Sequence, residues 1–120
     1  MNAKTFIAAL RELEERGDAE RLISLYREDA ETRNPTDPEP HEGVDGAREF
    51  WTKYRDSFED IHSEFHAVVE NDGCAVLEWT STGTSASGDP VHYDGVSVVE
   101  YDDGGIRRFR AYFDPTELRH

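Results

Sequence analysis

Asp94 is the residue of this sequence best suited to acid–base chemistry. It lies in residues 91–114, where two runs of alternating polarity flank a turn rich in aspartate and glycine. The alternation predicts that Asp94, Val96 and Val98 share one strand face. A carboxylate beside apolar groups suits proton transfer, so Asp94 is the predicted acid or base. The alternative interpretation is a solvated residue at the start of its strand.

A histidine of the same strand could assist such an acid. His92 has the parity of Asp94 and is predicted to lie at the mouth of a pocket as a proton shuttle. An exposed histidine at the edge of the sheet is the alternative. His62 and His66 share a face of another strand, but that spacing separates them by roughly 13 Å. Because this distance is too large for one metal ion, we expect no metal site.

The spacing of apolar residues changes along the chain, and this spacing predicts the helices and strands that would position these residues. Apolar residues recur at helical spacing in the first half, and alternate residues are apolar in the second half. The pattern predicts helices over 3–16, 19–28 and from Asp45 to Phe58, a short extended piece at 31–34, strands over 61–70 and 74–84, and the hairpin within 91–114. Helices followed by an antiparallel meander predict an α+β fold, a cone-shaped curved antiparallel sheet wrapped on three helices.

The wide end of such a cone is a usual place for a small-molecule pocket. Helical and strand periodicity predict a wall of aromatic and aliphatic side chains with few polar groups. The predicted ligand-binding residues are Trp51, Trp79, Ser81, His92, Val96, Val98, Phe109, Ala111 and Phe113, with Asn34 and Asp94 as further polar groups. We therefore expect a small apolar or aromatic ligand. The alternative is that these aromatic residues simply fill the core.

Composition narrows the classes of partner. The 120 residues form one predicted domain, and their formal net charge is −14 at pH 7. This charge repels phosphates and anionic lipid surfaces, so we expect neither nucleic acid nor membrane partners. Cys74 is the single cysteine, which excludes an intrachain disulfide and a thiolate metal cage. No apolar run reaches the roughly 20 residues of a membrane span, and we expect a cytoplasmic protein without a cofactor.

Three motifs give the sequence a family resemblance. They are LYREDAETRNP at 25–35, GAREFW at 46–51 and GGIRRFRAYFDP at 104–115. With them the chain resembles the nuclear-transport-factor-2-like superfamily, and most closely its SnoaL-like proteins, ketosteroid isomerases and limonene epoxide hydrolases. The resemblance spans nearly the whole chain and implies a cystatin-like α+β barrel. It implies less about chemistry, because one fold hosts many activities.

The resemblance places substitutions at most of the family's catalytic positions. Asn34 stands where ketosteroid isomerases carry their general-base aspartate, and Leu10 and Val96 stand near the positions of their oxyanion donors. Ala111 replaces the aspartate of the epoxide hydrolases, although Asn34 matches their water-orienting asparagine. Neither of these two activities is supported. The acid of SnoaL-like cyclases maps to Ala111 or to Asp114, and an aspartate before Pro115 is more typical of a turn cap.

Two functions from different classes remain open. One is a cofactor-free isomerase, cyclase or hydratase of SnoaL-like type acting on a lipophilic cyclic substrate, with Asp94 as acid or base and Asn34 orienting substrate or water. The other is a non-catalytic ligand-binding or accessory module.

The resemblance also implies a homodimer formed through the outer face of the sheet. Alternation predicts that this face carries Tyr93, Val99, Tyr101, Tyr112 and the arginines at 108 and 110. A half-apolar face of this kind favours a second subunit. A monomer whose sheet face is covered by water is the alternative.

Overall fold

The computed structural model describes residues 1–118, which form three α-helices, six β-strands and a short 3₁₀ helix. The helices are α1 (Ala3–Arg16), α2 (Glu20–Ile23) and α3 (Gly43–Asp56), and the 3₁₀ helix is Pro115–Leu118. The strands are β1 (Tyr26–Arg33), β2 (His41–Glu42), β3 (Phe58–Asn71), β4 (Cys74–Ser85), β5 (Pro90–Asp102) and β6 (Gly105–Phe113). The predicted α+β class is confirmed.

All six strands belong to one sheet with the order β2-β1-β6-β5-β4-β3. The strands β3 to β6 form the predicted antiparallel meander. The expectation of a purely antiparallel sheet is wrong, however, because β1 pairs parallel to β6. The sheet is also open, with β2 and β3 at its edges, so it curves around the helices without closing into a barrel.

The second predicted helix is the largest error in the secondary structure. Residues 19–28 were expected to be helical, but α2 ends at Ile23 and β1 begins at Tyr26. Tyr26, Ala30 and Thr32 are buried along β1, which gains its backbone hydrogen bonds from β6. Pairing within the sheet therefore outweighs the helical propensity of this segment, since tertiary pairing routinely overrides propensity.

The third helix and the strand after it divide differently from the predicted pattern. The helix begins at Gly43 rather than at a cap formed by Asp45, and it ends at Asp56. Phe58, expected on the helix, is the first residue of β3. The predicted apolar stripe of the helix nevertheless holds, with Phe50 and Trp51 buried against the sheet.

Phe109 of β6 lies at the centre of the contact between helices and sheet. Its ring centroid is 5.6 Å from that of Phe6 on α1, 5.8 Å from Phe50 and 5.2 Å from Trp51 on α3. These distances are typical of favourable aromatic pairs. The cluster fixes both long helices over the concave face of the sheet. Within residues 1–118, no helix has the length and apolar character needed to cross a membrane.

Candidate functional site

A cavity of about 260 Å³ lies between the helices and the concave face of the sheet. Its wall is chiefly aromatic, and its volume is just below the range of roughly 300–1,000 Å³ common for small-molecule sites. The aromatic residues are Phe6, Phe50, Trp51, Tyr54, Phe58, Phe65, Trp79, Tyr93, Phe109 and Phe113, and the polar ones include Asn34, Asp37, Ser63, Ser81 and Ser97. The cavity therefore has a largely apolar wall with a few polar groups.

Seven of the residues singled out from the sequence lie in this wall. They are Asn34, Trp51, Trp79, Ser81, Phe109, Ala111 and Phe113. Their placement follows from helical and strand periodicity, and their role in ligand binding stays a prediction.

The other four, all on β5, lie outside the cavity wall. His92 and Asp94 are exposed, and Val96 and Val98 are half-buried on the convex, outer face of the sheet. The predicted parity of β5 is therefore wrong. The pairing of β5 with β4 sets the true parity, because directly opposed residues in an antiparallel pair project from the same face.

The inner residues of β5 are Tyr93, Gly95, Ser97 and Val99, which oppose Ser81, Trp79, Leu77 and Ala75. The Trp79 ring lies over Gly95, where an added Cβ atom would come within 2.4 Å of the ring. The Trp79 indole N–H donates to Ser97 Oγ at 2.9 Å. The packed indole thus requires Gly95 and Ser97 at inner positions of β5. Because neither residue is a large apolar one, the sequence of β5 is less apolar on its inner face than on its outer face. Tyr93 and Val99, expected on the outer face, are buried.

The outer position of Asp94 explains its contacts. Its carboxylate accepts a hydrogen bond from Thr80 Oγ1 at 2.5 Å, and the same hydroxyl lies 2.7 Å from His66 Nε2. All of these groups are on the solvent-facing side of the sheet. Asp94 therefore has no access to the cavity.

A different carboxylate, Asp37, belongs to the cavity wall. Its side chain is only 8% exposed. Oδ1 lies 3.0 Å from His41 Nε2, and Oδ2 accepts the backbone N–H of Asn34 at 3.0 Å. The His41 ring packs edge-on against Phe50. Asp37 and His41 thus form a fixed carboxylate–imidazole pair at the cavity, with geometry suited to moving a proton.

Sequence reasoning missed this pair because it lies around the proline-rich loop between β1 and β2. The i,i+4 spacing of Asp37 and His41 was the available signal, but it carries no defined geometry outside a helix or strand. A backbone hydrogen bond from Asp37 N–H to Asn34 O, 3.1 Å long, folds the loop back on itself. This turn brings Asp37 to the cavity wall and next to His41.

Asn34 lies at the cavity, but part of its amide is committed to the loop. Its Oδ1 accepts from Thr36 N–H at 2.9 Å and from Thr36 Oγ1 at 2.6 Å. The side-chain oxygen therefore stabilises the turn, and the NH₂ group is the part left to contact a ligand.

A second polar cluster joins α1 to strands β3 and β4. Glu14 accepts hydrogen bonds from Tyr54 Oη at 2.6 Å, from Ser63 Oγ at 2.7 Å and from Ser63 N–H at 2.9 Å. Ser63 Oγ also lies 2.6 Å from Ser81 Oγ. This chain of hydrogen bonds runs from a carboxylate to Ser81, which faces the cavity.

The phenols beside this cluster stay protonated at neutral pH. Burial raises the pKa of Tyr54 well above its ordinary value, and the negative charge of Glu14 raises it further. The pKa of Tyr93 is also raised, mainly by burial and secondarily by Glu14. Both causes disfavour the tyrosinate anion, so these side chains act as hydrogen-bond donors.

Asp114 has the structural role expected of it. Its Oδ1 accepts from Thr116 N–H at 3.0 Å and from Thr116 Oγ1 at 2.8 Å, which caps the turn into the 3₁₀ helix. These hydrogen bonds lower the pKa of Asp114. Among the described residues, no group of three or more His, Cys, Asp or Glu side chains is placed to hold a metal ion.

The fold and cavity define a known class of protein. A family model described as the SnoaL-like domain matches residues 4–109, and the chain belongs to this family. No protein with a curated description matches the chain.

Solved structures with the same fold share little sequence with the chain. An NTF2-like protein from Anabaena variabilis superposes with a TM-score of 0.85 at 21% identity, covering 93% of this chain and 86% of that one. A candidate isomerase from Rhodopseudomonas palustris gives 0.82 at 17% identity, covering 96% and 90%. A candidate SnoaL-like polyketide cyclase from Jannaschia sp. CCS1 gives 0.77 at 15% identity, covering 96% and 89%. At these identities the similarity establishes the NTF2-like fold alone.

Proposed function

We propose that the protein is a cofactor-free acid–base enzyme that isomerises, cyclises or hydrates a lipophilic ring compound in the aromatic cavity. The observation that carries the proposal is the Asp37 carboxylate, which lies in the cavity wall and is held by His41 and by the backbone N–H of Asn34. Asp37 replaces Asp94 as the candidate acid or base, because Asp94 faces solvent.

For isomerisation or cyclisation the proposed step is a proton transfer that needs no co-reactant, and hydration adds one water molecule taken from the solvent. A carboxylate oxygen of Asp37 takes a proton from the substrate, and the electron pair left behind shifts within the substrate. Asp37 then returns the proton to another substrate atom, so that atoms and electrons balance. His41 and the Asn34 N–H orient the carboxylate, and the surrounding aromatic rings restrict water. The NH₂ group of Asn34 could orient the substrate from the same wall.

Two relatives in fold support this reaction class. One is a candidate isomerase and another is a candidate polyketide cyclase. Their activities belong to those proteins, and they make acid–base chemistry on this fold a reasonable expectation.

The test is deuterium exchange into a ring ketone, followed by proton NMR in D₂O with 1-tetralone as the probe. The wild-type protein should accelerate exchange at the carbon next to the carbonyl. Asp37→Asn should lower this acceleration at least about 100-fold, because an amide cannot take the proton. Asp94→Asn is the matched control on the outer face and should retain wild-type exchange. Equal exchange by all three proteins would contradict the assignment of Asp37.

The alternative function is a non-catalytic module that binds a lipophilic metabolite in the same cavity. Ala111 supports it, because it lies in the cavity wall at the position where the family resemblance places a catalytic acid. This alternative predicts ligand binding without accelerated exchange. It also predicts that Asp37→Asn leaves the ligand affinity within about twofold of the wild type, a factor below 1 kcal/mol.

We also propose that the protein is a homodimer formed through the outer sheet face. Val69, Val76 and Val98 oppose one another across β3, β4 and β5 on this face, and Val69 is 67% exposed. Tyr112 of β6, opposite Val96, extends the apolar patch. Light scattering should give twice the chain mass for the wild type and a monomer for Val76→Asp. A monomeric wild type at tens of micromolar would contradict the proposal.

A cytoplasmic location is the last part of this proposal. Its support is indirect: the chain has a single cysteine and therefore no intrachain disulfide, as is usual in reducing compartments. Its net charge of −14 also supports small molecules and protein subunits, rather than nucleic acids or anionic membranes, as its partners.

A further inference from the structure

The hydrogen bonds from Glu14 to Ser81 have a defined direction. The Glu14 carboxylate is acceptor-only, and three donors converge on it, namely the Tyr54 hydroxyl, the Ser63 N–H and the Ser63 hydroxyl. The single hydroxyl proton of Ser63 is therefore directed at Glu14. In its remaining contact, with Ser81 Oγ at 2.6 Å, Ser63 must accept.

This direction decides what Ser81 can offer to a ligand. Its only proton points to Ser63, so the lone pairs of Ser81 Oγ are the part left for other groups. Ser81 lies in the cavity wall and is buried from bulk water at 1% exposure. The protonated phenol of Tyr93 is its cross-strand neighbour and also lines the cavity. One acceptor and one donor thus lie side by side in a wall that also carries many aromatic rings.

We infer that the cavity selects a ring compound that bears a hydroxyl group, which donates a hydrogen bond to Ser81 Oγ and accepts one from Tyr93. This inference builds on the proposed function, because it specifies the ligand class of the same cavity. An ether or an unsubstituted ring brings no donor to Ser81 and therefore forgoes this buried hydrogen bond. The Glu14 charge orients Ser63 and Ser81 before the ligand arrives, which strengthens the selection.

Three probes of the same ring system test the inference by calorimetric titration, namely 2-naphthol, 2-methoxynaphthalene and naphthalene. The measured quantity is the affinity of each substituted probe divided by that of naphthalene, which cancels the shared apolar contribution. In Ser81→Ala the naphthol ratio should fall roughly fivefold from its wild-type value, the equivalent of one buried hydrogen bond. Ser87→Ala, an exposed serine in the turn before β5, is the control and should retain the wild-type ratio.

Ser63→Ala tests the direction of the chain and serves as a second variant. Without Ser63, the Ser81 proton has lost its acceptor and can turn to the ligand, so the methoxynaphthalene ratio should rise roughly fivefold. A naphthol ratio that is the same in Ser81→Ala and in the wild type would overturn the inference. A wild-type preference for the ether that disappears in Ser81→Ala would also overturn it, because Ser81 would then be a donor.

The probes also separate this inference from the proposed function. If the wild type binds all three probes with no contribution from Ser81, the hydroxyl selection is wrong and the ring-binding cavity stands. If the wild type binds none of them, both are overturned. The exchange experiment on Asp37 is read separately from these affinities, because it measures proton transfer at the Asp37–His41 pair.

Discussion

The two faces of the same strands carry similar polar networks in different surroundings. On the inner face, Ser63 and Ser81 connect to the Glu14 carboxylate behind an aromatic cavity. On the outer face, Thr80 connects His66 to the carboxylate of Asp94 under solvent. By residue type the outer network has the more catalytic composition, since it contains a histidine, a hydroxyl and an aspartate.

The difference between the two networks is burial, which decides which of them faces the cavity. Solvent competes for the outer hydrogen bonds and screens the charges, so they add little to stability and bring no substrate close. The inner network is shielded from water, so each hydrogen bond there is stronger and each unpaired group is costly. The comparison can be tested by disrupting each network in turn.

Removal of the inner carboxylate should have the largest effect. Glu14→Ala leaves the Tyr54 hydroxyl and both donors of Ser63 without an acceptor, so we expect a loss of about 4 kcal/mol in the free energy of unfolding. Urea denaturation followed by circular dichroism gives this value. A loss no greater than that of an outer-face variant would contradict the contrast between the two networks.

Filling the space under Trp79 should have the next largest effect. In Gly95→Ala the new methyl group meets the indole ring at 2.4 Å, so Trp79 must move, and we expect a loss of about 2 kcal/mol. The displaced ring should also change the tryptophan fluorescence. The control is Gly104→Ala in the turn between β5 and β6, where the nearest atom is a side-chain oxygen at 3.3 Å. Equal stability of the two variants would count against the packing of Trp79 over Gly95.

Alkaline pH should destabilise the inner face through its buried phenols. The pKa values of Tyr54 and Tyr93 are raised in the folded protein, so the unfolded chain ionises first as the pH rises through about 10. The contribution of the two tyrosines to the free energy of unfolding is complete below that pH. Above it the contribution declines, by up to about 1.4 kcal/mol per pH unit for each tyrosine.

The measurement is the free energy of unfolding between pH 8 and pH 11, with Tyr54→Phe as the test variant. Its decline with pH should be shallower than that of the wild type, by the contribution of one tyrosine. Parallel pH profiles for the two proteins would show that Tyr54 titrates as it does in the unfolded chain.

Breaking the outer network should have the smallest effect. Asp94→Ala removes one exposed hydrogen bond from Thr80, and we expect a change of at most about 0.5 kcal/mol. The same urea denaturation measures it. A loss above about 2 kcal/mol would show that the outer network is as important as the inner one.

The fold was largely predictable, because the long periodic segments agree with it. The stripe of α3 and the antiparallel meander follow directly from their apolar spacing. The β1 segment was misread, because its pairing with β6 depends on residues about 80 positions away in the sequence. Local pattern does not contain that information.

Which residues of a strand face the cavity was predictable only where large apolar residues occupy the inner positions. On β4, Trp79 and Ser81 were assigned correctly to the inner face, since Leu77 continues the same parity. On β5 a cavity and a packed indole require Gly95 and Ser97 at inner positions, while valines occupy the outer face. A periodicity argument assigns the apolar residues of a strand to the inner face. On β5 it therefore assigned the outer valines to the cavity. Asp37 was missed for another reason, since a loop has no period.

A nuclear magnetic resonance titration of the ¹⁵N-labelled protein with 2-naphthol tests most directly whether the inner face holds the site. Both tryptophans of the chain line the cavity, and their indole N–H groups donate to Tyr26 and Ser97 inside the protein. We predict that both indole signals shift together and saturate, while the backbone signals of His66 and Asp94 change little. Unmoved indole signals, with saturable shifts confined to the outer-face residues, would contradict the account.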